Sequence, residues 1–167
     1  MATPMTAADV IRHLGLEPHP VEGGYFRETH RTAATLSAPG GERSVGTAIY
    51  YLLTGDAVSE MHVLPGDEVF HFYLGDPLEM LQLRPDGSSE TLLLGPDLSA
   101  GQSPQLVVPA NVWQGSRRLP GPHGYTLIGA TMAPGFAYED YATGRRAELQ
   151  AEWPGRADLI TLLTPKG

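Results

Sequence analysis

Apolar residues recur along most of this chain at every second position rather than every third or fourth. Positions 25–30 (YFRETH) alternate, 45–53 is a β-branched and aromatic run, and similar stretches follow at 58–64, 68–74, 78–84, 89–94, 105–108 and 125–132. The breaks between them are turn formers, among them Pro65-Gly66-Asp67, Gly75-Asp76-Pro77, Pro85-Asp86-Gly87 and Pro120-Gly121-Pro122. About eight short strands with no helix between them predict an antiparallel sandwich or barrel. Helical spacing shows only at the ends. Over 6–14, Thr6 caps, Asp9 completes a capping box, Val10, Ile11 and Leu14 share a face, and Gly15 ends the helix. Two short helical pieces, 145–152 and 158–163, are expected to close over the sheet. The segment 36–42 (LSAPGGE) is small and polar and reads as a loop. With no repeat or linker in view, 1–167 is expected to form one domain with its core over about 20–142.

Composition narrows the function. Twenty glycines and fifteen prolines in 167 residues suit a turn-rich β protein, and 41% apolar residues suffice for a core. A net charge of −8 without a basic run excludes a nucleic-acid binder and offers nothing to an anionic membrane. The absence of cysteine removes disulfides, thiol nucleophiles and Cys zinc sites. No apolar stretch approaches a membrane span and no signal peptide is visible, so a soluble cytoplasmic protein is expected.

His62 and Glu68 flank the turn Pro65-Gly66-Asp67, and in a hairpin-like pair such residues face each other. An imidazole beside a carboxylate suits acid–base chemistry, metal binding or plain polar filling. His71 alternates onto the opposite face from Glu68. His13, His19, His30 and His123 lie in polar or terminal contexts and carry no prediction. Gly23-Gly24 permits a sharp turn or a close approach before Tyr25 and Arg27, which share one face of their strand.

His62-Val63-Leu64-Pro65-Gly66-Asp67-Glu68 with Gly75 resembles the first cupin signature, and Pro109-Ala110-Asn111-Val112-Trp113-Gln114 resembles the second. The strings EGGYFRETHRT, DEVFHFYLGDPLEML, VVPANVWQG and APGFAYEDY resemble more specifically the cupin subfamily catalogued as domain of unknown function 985. The resemblance implies an all-β cupin double-stranded β-helix, a jelly roll, here with an N-terminal helix and short C-terminal helical segments. It also implies a metal held by two histidines, a glutamate and a third histidine, but this chain has Leu64 and Gln114 where the second and third histidines belong. His62, Glu68 and Gln114 remain as a weak metal set, so no cofactor or at most a loosely held divalent ion is expected.

The resulting expectation is a homodimeric cupin that binds a small polar molecule, sugar-like or anionic, in its barrel. By analogy with metal-free cupin epimerases, the chemistry is isomerase-, epimerase- or lyase-like. His62, Glu68 and Tyr138 are assigned as catalytic, with Tyr25, Arg27, Gln114 and Trp113 binding the substrate. The alternatives are a metal-dependent cupin enzyme with a reduced His/Glu/Gln site and a non-catalytic ligand-binding module.

Overall fold

The computed structural model describes residues 4–167. Helix α1 (Ala7–Leu14) starts at the Thr6–Asp9 capping box and stops at Gly15, whose left-handed backbone (φ 63°) ends the hydrogen-bond ladder. Thirteen strands follow in order: β1 (Glu17–Pro18), β2 (Tyr25–Arg31), β3 (Thr35–Ala38), β4 (Gly41–Ser44), β5 (Thr47–Thr54), β6 (Val58–Val63), β7 (Glu68–Gly75), β8 (Leu78–Leu83), β9 (Ser89–Leu94), β10 (Gln105–Val108), β11 (Trp113–Arg118), β12 (Tyr125–Met132) and β13 (Ala142–Thr143). Helices α2 (Arg146–Glu152) and α3 (Ala157–Leu162) close the chain.

The strands form two antiparallel sheets packed face to face, ordered β1-β2-β5-β12-β7-β10 and β13-β6-β11-β8-β9, with β3–β4 as a separate hairpin. Alternation along each strand sorts the apolar residues into three layers. Tyr51, Leu53, Phe70, Met80, Leu106 and Ile128 meet between the sheets. Leu52 and Leu127 point outward and are covered by Val10 of α1. Met61, Leu81 and Leu83 point out of the other sheet, beneath Leu149, Trp153, Ile160 and Leu163 of the C-terminal segment.

Three expectations are corrected. Residues 36–42 are not a loop but most of the β3–β4 hairpin, in which Leu36 pairs with Arg43 and Ser37 with Glu42. Strand β11 was not foreseen, because WQGSRR lacks an apolar alternation. The turn 65–67 does not join a hairpin: β6 pairs with β11 and β13, whereas β7 pairs with β12 and β10. It carries the chain from one sheet to the other. Its flanking residues therefore face each other across the sandwich rather than along a ladder.

Candidate functional site

One end of the space between the sheets is left open as a cavity of about 60 Å³, lined by His62, Leu64 and Glu68 together with residues from β2, β5, β12 and the segment 133–141. His62 reaches it through a bulge. Gln114 pairs with His62 and Ser116 with Ser59, so β6 carries one residue more than β11 across that interval. The extra residue lets His62 line the cavity while Ser59, three positions earlier, also reaches inward to bond Glu22. The Nδ1 of His62 lies 2.7 Å from the Glu60 carbonyl, which can only accept, so Nδ1 carries the proton and Nε2 keeps its lone pair. Burial pushes the imidazole below its ordinary pKa and outweighs the opposing pull of Glu68. His62 is thus a neutral base.

Glu68 stands opposite, at the start of β7. Its Oε2 accepts a 2.6 Å hydrogen bond from Nε2 of Gln114. Burial and the nearby Glu22 carboxyl push Glu68 up to about 7, against the pull of His62 and Gln114. A carboxylic acid that still holds its proton near neutrality can donate it.

Three further residues complete the site, and none of them was singled out from the sequence. Glu22 is brought in by the turn Gly23-Gly24, where φ is 99° and 71° and a Cβ would run into the backbone oxygens of Val58 and Leu52. Burial raises its pKa. His19 accepts backbone N–H bonds from Val21 (3.2 Å) and Glu22 (2.9 Å) at Nδ1, which fixes it as the Nε2–H form, with Nε2 3.7 Å from Glu22. Tyr141 stacks on His62, with ring centroids 4.7 Å apart and planes 17° off parallel. Its hydroxyl is buried and has no hydrogen-bond partner among the described residues. Burial, and then the carboxyls of Glu22, Glu60 and Glu68, hold its proton on. Glu22 and Tyr141 begin and end two of the strings that carry the cupin resemblance, and that position was the one signal available.

The predicted residues divide. His62, Glu68 and Tyr138 line the cavity, Tyr138 half-exposed at its mouth against Phe136, and Gln114 reaches it through Glu68. Tyr25 and Arg27 do not. Alternation turns them outward, Tyr25 against α1 and Arg27 onto the Leu14 carbonyl at 3.0 Å, while their neighbours Phe26 and Glu28 line the cavity. Trp113 packs outward on the layer beneath the C-terminal helices. His71 also faces out, bonded to Thr131 (2.9 Å) and Gln105 (3.1 Å).

The donor set does not fit a resident metal. Among the described residues no three His, Asp or Glu side chains are placed to hold one. Leu64 walls the cavity where a second imidazole would stand, and Gln114 presents its NH₂ to Glu68.

Two face-to-face antiparallel sheets with a buried histidine and glutamate lining the space between them are the arrangement of a cupin. A family model described as "Cupin superfamily (DUF985)" matches residues 8–144. The chain belongs to this family. It is 32% identical over 134 residues to the uncharacterized protein YML079W of Saccharomyces cerevisiae, a match covering 72% of this chain and 66% of the yeast protein. Among solved structures, a hypothetical protein from Leishmania major superposes with a TM-score of 0.87 at 30% identity, covering 96% of this chain and 99% of that one. Protein SO0799 of Shewanella oneidensis superposes with a TM-score of 0.85 at 34% identity, covering 96% and 98%.

Proposed function

We propose that this protein moves protons on a small polar molecule held in the cavity, as an isomerase, epimerase or lyase that needs no redox cofactor. The observation that carries this reading is the pairing of His62 with Tyr141: a neutral imidazole with its lone pair on Nε2, stacked on a phenol whose O–H has no partner among the described residues. Nε2 of His62 removes a proton from a carbon next to a carbonyl, and the developing oxyanion takes a hydrogen bond from Tyr141. Glu68, with a pKa of about 7, returns or accepts a proton on the opposite side. Tyr141 replaces Tyr138 as the phenol in this scheme, because Tyr138 is 49% exposed at the rim. Gln114 acts as a positioning residue for Glu68. We also infer a homodimer, supported by the exposed Tyr73 and Leu74 in an apolar groove beside α1.

Hydrogen–deuterium exchange of small hydroxyketones and aldoses in heavy water, followed by NMR, tests the chemistry. Wild-type protein exchanges the carbon-bound hydrogen next to the carbonyl, and His62→Asn loses this by about 100-fold or more while still folding. Tyr141→Phe loses exchange too. A His62→Asn protein with a lower melting temperature but unchanged exchange would make His62 a structural group and sink the proposal.

A further inference from the structure

The cavity is built with negative charge and no positive charge. Among the described residues that line it there is no lysine or arginine. Glu28 at the mouth is neutralised by Arg31, which donates to both of its oxygens at 2.8 Å. Deeper in, Glu22 and Glu68 receive hydrogen bonds from the neutral groups of Ser59 and Gln114. Neither neighbouring histidine supplies a charge. His19 is held neutral because its Nδ1 accepts from two backbone amides, and His62 is neutral through burial.

Buried carboxylates are expensive without a counter-charge. Burial pushes both carboxyls up, Glu68 to about 7. An anion entering this space would find no cation to pair with. A positive group would instead find two carboxyls and the aromatic side chains of Phe26, Phe136 and Tyr141.

We propose that the ligand of this site carries a protonated amine, with Glu22 and Glu68 as its paired counter-charges and the aromatic rings packed against its ammonium end. The proposal rests on the reading of the cavity as the ligand site, and replaces the anionic option with a cationic one. Binding is coupled to pH through Glu68, which faces His62 on β6, Gln114 on β11, Glu22 before β2 and Tyr141 after β12. An ammonium beside it favours its ionised form, so binding releases a proton. Affinity therefore rises as pH climbs through about 7.

Isopropanolamine, propylene glycol and lactate share one three-carbon skeleton with a positive, neutral and negative end. Each is titrated into the full chain while the His62 imidazole resonance is followed by NMR. The amine is expected to saturate about tenfold more tightly than the glycol above the Glu68 titration, with no saturable shift from lactate. Glu22→Gln and Glu68→Gln each erase the preference for the amine over the glycol. If the glycol or lactate binds as tightly as the amine, the charge assignment is overturned while the cavity stands as a ligand site. If none of the three moves the His62 signal, both readings fall.

Discussion

In water a glutamate gives up its proton near pH 4.5, whereas at position 68 the carboxyl keeps it to about 7, because the charged form must sit unsolvated beside Glu22. That shift exchanges the roles expected of the pair. The signature suggests an imidazole titrating near neutrality over a carboxylate. Burial instead removes the charge from His62 and leaves Glu68 as the group that titrates where biology operates. The consequence for stability has a definite sign. The folded protein binds more protons at Glu68 than the unfolded chain between about 4.5 and about 7, so this contribution is complete at the acid end and lost as pH rises through the window. It amounts to about 3 kcal/mol, taking some 1.4 kcal/mol per pKa unit. Melting curves collected across that range should show Glu68→Gln losing the decline seen in wild type and melting above it in alkali. Parallel curves for the two proteins would rule out this assignment.

Strand by strand, the period-two pattern located β2, β5, β6, β7, β8, β9, β10 and β12, because each alternates; all but β6 turn apolar residues to the space between the sheets, whereas β6 sends Val58 and Met61 outward. It could not locate β11, whose buried members Gln114 and Ser116 are polar, nor the β3–β4 hairpin, built from small residues. Nor could it say which sheet a strand joins. The seven residues from His62 to Glu68 fit a hairpin as well as a crossing between layers, and only the pairing partners decide. The site was legible to the same extent. His62 and Glu68 stand at signature positions, but the bulge in β6 that turns both Ser59 and His62 inward leaves no mark in VSEMHV. Tyr25 and Arg27 were misassigned because either face of β2 was open from sequence alone. The pairing of Gln114 with His62 supports an element-level test. Leu64→His with Gln114→His places imidazoles at both vacant signature positions, and elemental analysis after dialysis against chelator should find one transition metal per chain there and less than one in wild type. A full, chelator-resistant metal in wild type would overturn the donor argument.

The molecule as a whole covers its sheets unevenly. The C-terminal helices cap one outer face. The other has α1 alone, leaving Tyr73, Leu74 and Val107 exposed at 47%, 40% and 55%, with the groove of Met5, Leu14, Tyr50 and Leu127 beside them. A second copy placed there would bury this surface by a two-fold axis. Strand β5 lies inside its sheet between β2 and β12 and offers no edge to a second copy. Light scattering should therefore give twice the chain mass, and Tyr73→Arg should return it to that of one chain; a wild-type monomer at micromolar concentration would exclude the pairing. His62 and Glu68 stand on strands of the sandwich, whereas Phe136, Tyr138 and Tyr141 belong to a strap. The strap is tied down from outside by Arg31 on the Phe136 carbonyl (3.0 Å) and by the twofold contact of Arg43 with Asp140 (2.8 and 2.7 Å). The mouth at Tyr138 and the walls at His62 and Glu68 thus lie on separate stretches of chain, with Tyr141 reaching from the strap to stack on His62. Substitutions at Phe136 and Tyr138 can therefore reshape the entrance while His62, Glu68 and Tyr141 keep their places, so that what the cavity admits can change without its inner walls being rebuilt.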